Sequence, residues 1–122
     1  DPLRWLGIAL LGGGIILMGS AHHHLDRNFN SLVVSKEGQR LVTSGPYQWI
    51  RHPIYTAYLL SSLGGGLVSS NLVLTIVPIT FFGLMIIDRI PREEALMREA
   101  FGADYLALEK RTGRLLPKFK QK

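Results

Sequence analysis

The chain of 122 residues contains no cysteine, which excludes a disulfide framework, a thiolate metal site and a cysteine nucleophile. It also lacks a G-x-G-x-x-G fingerprint, a P-loop, an H-E-x-x-H helix and a G-x-S-x-G elbow, so none of the familiar short motifs for dinucleotide, phosphate, zinc or acyl chemistry is present. Charge is scarce in a patterned way. Asp, Glu, Lys and Arg make up 19% of the chain, yet they avoid three long apolar runs. Hydrophobic residues reach 47% and mean hydropathy is +0.18. Alternation of uncharged and charged stretches is the pattern of a polytopic membrane protein rather than a soluble globule. The net charge of +5 raises nucleic acid as a partner. The basic residues lie beside the apolar runs, however, which favours anionic lipid headgroups and leaves no nucleic-acid partner expected.

The length suits a single domain. Residues 3–21 are interrupted only by Arg4 and are about long enough to cross a bilayer. Their glycines permit close helix approach. No small-x-small cleavage site favours a signal peptide, and the opening Asp1-Pro2, without Met, leads us to expect further sequence upstream. His22, His23 and His24 follow. Adjacent helical residues point about 100° apart, so the three cannot face one metal, and they read as an interfacial helix end with no metal expected. Residues 31–44 carry β-branched pairs around Lys36-Glu37-Gly38 and predict an extended, hairpin-like connector. Residues 53–70 and 71–87 form two further spans, with a joint from Gly64-Gly65-Gly66 to Ser69-Ser70-Asn71, and Pro78 predicts a kink in the last. That joint holds no charge, whereas 88–122 holds nine Lys and Arg. The positive-inside rule then sets both charged segments on the cytoplasmic side.

The expected fold is all-α: about three transmembrane helices and a cytoplasmic C-terminal helical segment. Its expected parts are a first span over 1–21, a cytoplasmic connector over 22–52, a helical hairpin over 53–87 and a cytoplasmic, cofactor-closing segment over 88–122. Within that last part Pro91 suits the start of a new helix, with Glu93 and Glu94 in its first turn. Met97, Phe101, Tyr105 and Leu108 repeat at helical spacing. Gly102 predicts a break and Asp104 a cap for the helix after it.

The densest chemistry lies in Gly45-Pro46-Tyr47-Gln48-Trp49-Ile50-Arg51-His52-Pro53-Ile54-Tyr55. Pro53 keeps His52 out of helical dihedrals and suits the first position of the helix behind it. Arg51 and His52 therefore stand at the mouth of an apolar helix, where an ionisable pair is costly without a partner or ligand. Arg89, Glu93 and Glu94 form a second cluster at the same edge. A pocket between the two, with aromatics to stack on a ring and a carboxylate to bind an amine, fits a small polar cofactor beside a lipid. A juxtamembrane salt bridge between Arg89 and Glu93 is the plainer reading.

Residues 41–47 (LVTSGPY), the Arg51-His52-Pro53-Ile54-Tyr55 run, Arg89-x-Pro91-x-Glu93-Glu94, Phe101-Gly102-x-x-Tyr105 and residues 112–117 (TGRLLP) occur in order. Together they resemble the isoprenylcysteine carboxyl methyltransferase family, a relative of the membrane phospholipid N-methyltransferases, from about Leu25 to the C-terminus. The resemblance implies S-adenosylmethionine bound in a helical membrane fold without a Rossmann domain. It implies cofactor contacts at Gln39, Arg40, Leu41, Val42, Tyr47, His52, Pro53, Ile54, Tyr55 and Glu93, those at Gln39 and Arg40 through backbone. Arg89 corresponds to a substrate-contacting arginine, and Arg89 with Glu93 would carry the catalytic role. Family members also have additional N-terminal helices.

Methyl transfer from a sulfonium needs alignment and exclusion of water more than acid–base help. A carboxylate acceptor needs no general base, and Arg89 suits it through paired N–H bonds. An amine acceptor would require a proton acceptor, for which His52 or Glu94 are the candidates. The expected partners are thus a lipophilic substrate from the bilayer and membrane lipids. A phospholipid or small-amine N-methyltransferase, an NADPH-dependent enzyme like the sterol reductases, and a non-catalytic membrane subunit are the alternatives.

Overall fold

The computed structural model describes residues 1–27, 33, 34 and 40–118, with side chains at all of these except 26, 27, 33, 34 and 40. The expected Lys36-Glu37-Gly38 turn and Gln39 lie outside the described residues.

The described residues form four α-helices: α1 (Pro2–Arg27), α2 (Pro53–Ser69), α3 (Leu72–Phe101) and α4 (Ala103–Arg111). The all-α expectation holds apart from one short antiparallel ladder in the connector. There β1 (Val33–Val34) pairs with β2 (Arg40–Leu41), Val33 opposite Leu41. Helices α1 and α3 are long and apolar enough to cross a membrane. At 17 residues, α2 is about 26 Å long, slightly shorter than the roughly 30 Å hydrocarbon core.

Small residues set how closely α1 and α2 pack. A methyl group on Gly7 would fall 2.7 Å from Leu67 Cβ, and one on Gly14 would fall 3.1 Å from the Ala57 carbonyl oxygen. Both are inside van der Waals contact, so the two backbones meet at a distance only glycine allows. Of the glycines at 64–66, Gly64 meets Leu11 and the Gly7 carbonyl in the same packing, Gly66 faces Thr75 of α3, and Gly65 has open space beside it. They are not part of a loop as expected: α2 runs through them, and the turn to α3 is confined to Ser70, which is left-handed at φ 54°, and Asn71. Asn71 Oδ1 accepts from the Leu74 N–H at 3.1 Å and caps α3.

Helix α3 departs from expectation at Pro91. No new helix starts there, and α3 continues through both Pro78 and Pro91 to Phe101. Each proline removes one backbone hydrogen bond, a loss that surrounding protein and local adjustment compensate in membrane helices. The consequence is a rigid register for the acidic pair. Glu93 lies one turn beyond Arg89 on the same side, while Glu94, about 100° further round, turns inward and is fully buried.

Gly102, at φ 58°, breaks the chain between α3 and α4, its N–H bonded to the Arg98 carbonyl at 2.8 Å. Gly102 itself occupies the cap position of α4. Asp104 is displaced from its expected capping role into the first turn, where its charge still suits the helix dipole. Leu41, Phe101, Tyr105 and Leu108 then form one buried cluster, with Met97 and Ala100 against it. Ala21, Val42 and Tyr47, backed by Ile54, form a second. The chain after α4 returns as a strap beside the start of α2: Gly113 N–H bonds the Trp49 carbonyl, and the Arg51 and His52 N–H groups bond the carbonyls of Gly113 and Arg114 at 2.9 and 3.0 Å.

Candidate functional site

The turn before α2 is a short 3₁₀ segment, Gly45–Gln48, with Pro46 at its start. Gly45 has φ 57°, a conformation that L side chains rarely adopt. Ser44 has the residue type of a cap but does not cap the turn. Its hydroxyl is hydrogen-bonded to His24 Nδ1 at 2.9 Å, so one residue of the histidine run pins the end of α1 to this turn. The turn delivers Tyr47 to the interior, and the Arg51-His52-Pro53 sequence then opens α2.

Glu94 is the electrostatic centre. Its Oε2 accepts from Arg51 Nε at 2.8 Å and from His52 Nε2 at 2.9 Å, and its Oε1 accepts from Arg114 Nε at 3.0 Å. A buried carboxylate is tolerated only with such compensation. Arg51 does more than pair with it. Its NH1 donates to the carbonyls of Thr112 (2.7 Å) and Glu109 (3.3 Å) and to Thr112 Oγ1 (3.1 Å). A cation thereby caps the carbonyl end of α4, where the helix dipole favours it. One guanidinium joins the mouth of α2, the interior of α3 and the end of α4.

His52 is largely buried, and burial lowers its pKa below the usual 6.5 against the opposing pull of the Glu94 hydrogen bond. The Tyr105 hydroxyl is pushed up to about 12, first by burial and then by the Glu94 charge. Glu109 is held below the ordinary carboxylate range by its hydrogen bonds from Arg98, at 2.9 and 2.7 Å.

The two clusters expected to meet do so. Tyr55 donates its hydroxyl to Glu93 Oε2 at 2.8 Å, and His52 Nδ1 lies 3.9 Å from Glu93 Oε1. The plainer alternative, a salt bridge between Arg89 and Glu93, does not form. Asp88 pairs with Arg92 instead, at 3.0 Å on the exposed side, and Arg89 makes no hydrogen bond or ion pair to a described residue.

Two chambers adjoin here. The first, of ≈ 320 Å³, is walled by Leu41, Val42, Met97, Tyr105 and Leu108 among others. The second, of ≈ 440 Å³, lies between α2 and α3 against Ile54, Tyr58, Phe82, Met85 and Arg89. Tyr58 and Phe82 stack at 4.8 Å between ring centres and form its aromatic wall. Leu25, Tyr47, Arg51, His52 and Glu93 border both chambers. Both volumes fall within the range of small-molecule sites.

Of the residues singled out from sequence, Leu41, Val42, Tyr47, His52 and Glu93 thus line the first chamber, and Pro53, Ile54, Tyr55 and Arg89 the second only. Arg40 is described through its backbone pairing with Val34 alone. The hub role of Glu94 and the parts of Thr112, Arg114 and Tyr105 were not apparent from spacing. The adjacent Glu93-Glu94 pair was the available signal, since neighbouring helical residues cannot share a face.

A model of the isoprenylcysteine carboxyl methyltransferase (ICMT) family matches residues 5–99. The chain is 32% identical over 120 residues to a protein-S-isoprenylcysteine O-methyltransferase of Mus musculus, covering 94% of this chain and 42% of that protein. It is also 32% identical over 115 residues to the cobalt-zinc-cadmium resistance protein CzcN of Cupriavidus metallidurans, covering 93% and 52%. A solved structure of the eukaryotic intramembrane Ras methyltransferase ICMT superposes with a TM-score of 0.78 at 27% identity, covering 94% of this chain and 42% of that one. The chain therefore spans about half or less of the length of these relatives. With that likeness and two long apolar helices, it is an integral membrane protein of all-α fold.

Proposed function

Since the chain belongs to the isoprenylcysteine carboxyl methyltransferase family, its model matching residues 5–99, we propose that it binds S-adenosylmethionine and methylates the carboxylate of a lipophilic, isoprenylcysteine-like acceptor. The observation that carries this reading is the pair of chambers meeting at Tyr47, Arg51, His52 and Glu93. A two-substrate transfer needs two compartments and one common wall.

The first chamber suits the donor. Its apolar and aromatic lining matches a purine and a thioether, and Glu93 with the His52 ring offers acceptors for a cationic amino group. S-adenosylmethionine, when bound, would supply a methyl group on a sulfonium, with a neutral thioether as the leaving group. The protein's own task is then to orient both partners and exclude water. Tyr47 and Tyr105 shield the donor side, and the Tyr58–Phe82 stack shields the acceptor side. Arg89 makes no hydrogen bond or ion pair to a described residue, borders the second chamber and has the forked donors that hold a carboxylate through two hydrogen bonds. Glu93 remains anchored by Tyr55 and is not needed as a base, because a carboxylate acceptor carries no proton to remove.

On this reading the Arg89 rim and the basic C-terminal segment face the cytoplasm, α2 completes a third crossing, and the acceptor enters from the bilayer. The test is to incubate membranes containing the protein with methyl-labelled S-adenosylmethionine and a farnesylated cysteine derivative. Base-labile label in the lipid fraction is the expected result, since an ester hydrolyses. Base-stable label would mean amine methylation. No transfer, with a thermal response to NADPH alone, would overturn the methyltransferase reading.

A further inference from the structure

His52 is the one residue of the common wall with two distinguishable ring nitrogens, and its surroundings decide which carries the proton. The fully buried Glu94 already receives Arg51 and Arg114, so it is held as an anion that only accepts. The Nε2 atom, 2.9 Å from Glu94 Oε2, must then be the N–H. The Nδ1 atom lies 3.9 Å from Glu93 Oε1, too far for a hydrogen bond. A ring protonated at both nitrogens would draw that carboxylate in. The buried ring is therefore neutral, in agreement with its lowered pKa, with a bare lone pair at Nδ1. Glu93 is itself fixed by the Tyr55 hydroxyl at 2.8 Å. Two acceptors, one neutral and one anionic, thus stand side by side, and no hydrogen bond from a described residue bridges them.

We propose that Glu94 is a positioning residue that fixes His52 as the Nε2–H tautomer, so that Nδ1 and the Glu93 carboxylate together receive the α-ammonium group of an amino-acid-bearing nucleoside. This rests on the donor-binding reading above and adds to it the residue that prepares the recognition and the ring nitrogen that makes it. Glu94 does not touch the ligand; it acts through the imidazole.

The test uses the full chain in lipid nanodiscs with ¹⁵N-labelled histidine, His52 being assigned from the resonance lost in His52→Asn. Without ligand at neutral pH, the expected spectrum shows Nε2 protonated and Nδ1 bare; the opposite tautomer, or a doubly protonated ring, overturns the proposal. Binding is then measured with S-adenosylhomocysteine and with 5′-methylthioadenosine, which lacks the amino-acid portion. Glu94→Gln should weaken the first about tenfold more than the second, the effect of losing one hydrogen bond to a charged group. Equal weakening of both would show a merely structural role and overturn the proposal. Failure of the unaltered protein to bind either nucleoside would instead refute the donor-binding reading, while the ligand-free tautomer judges the role of Glu94 by itself.

Discussion

Replacing Arg51 by alanine should detach α4 from the membrane helices. Four hydrogen bonds leave with the guanidinium: one to Glu94, two to carbonyls at the end of α4 and one to the Thr112 hydroxyl. The side chains of Arg51 and Glu94 are 9% and 0% exposed, so the pair counts as buried, and breaking such a pair costs about 3–5 kcal/mol. His52 and the half-exposed Arg114 remain on Glu94 and reduce that cost, whereas the orphaned α4 carbonyls add to it at about 1 kcal/mol each. We take about 3 kcal/mol as the local loss, which corresponds to roughly a hundredfold rise in the open population of α4. Amide hydrogen exchange in nanodiscs reads this directly. Amides of Ala103–Arg111 should exchange about a hundred times faster in Arg51→Ala, while those in the middle of α1 and α2 change little. Exchange in α4 within threefold of the unaltered protein would refute the argument that one guanidinium ties the three elements together.

Tyr55→Phe removes the hydrogen bond to Glu93 but keeps the ring stacked on His52; S-adenosylhomocysteine affinity, read by calorimetry, should fall several-fold for about 1 kcal/mol lost, with thermal stability unchanged. Arg89→Lys keeps the charge but not the fork, so KM for a carboxylate acceptor should rise roughly tenfold while donor affinity stays constant; a change in donor affinity alone would contradict the assignment of Arg89 to the second chamber. Gly7→Leu forces a side chain against Leu67 and the Gly64 carbonyl, and overpacking of this kind should cost about 1–3 kcal/mol, seen as a lower melting temperature. His52 has a pKa lowered in the fold, so below its ordinary 6.5 the unfolded chain binds more protons than the folded one. Its contribution to stability is complete above pH 6.5 and is lost as the pH falls through the folded pKa. His52→Asn should flatten that part of the stability profile.

Much of this was written locally in the chain. The apolar runs announced α1, α2 and α3, and the punctuation of Gly45-Pro46 and of Pro53 announced the turn and the start of α2. The break at Gly102 was legible because a positive φ favours glycine. Other features depended on what surrounds them. Pro91 looks like a helix start in any short window, and the helix passes through it because α3 arrives already formed and needs to forgo only one hydrogen bond. Gly64-Gly65-Gly66 looks like a loop, yet α2 runs through these residues, and Gly64 and Gly66 let α1 and α3 approach closely. Glu93 and Glu94 are identical in type and adjacent; which one meets a chamber and which is buried against Arg51 follows from the rotation of α3 against α2. That Tyr105 and Leu108 line the first chamber follows from the break at Gly102, which sets how α4 leaves α3. His24 lost its place in a histidine run and gained one as the partner of Ser44.

The central claim is that a donor nucleoside occupies the chamber between the Tyr47–His52 turn and the Glu93 face of α3. Calorimetric titration of the purified protein in nanodiscs with S-adenosylhomocysteine tests it most directly, with Glu93→Gln as the paired variant. Saturable one-to-one binding by the unaltered protein, weakened at least tenfold in Glu93→Gln, is the predicted result. No binding, or binding indifferent to Glu93→Gln, would contradict the account.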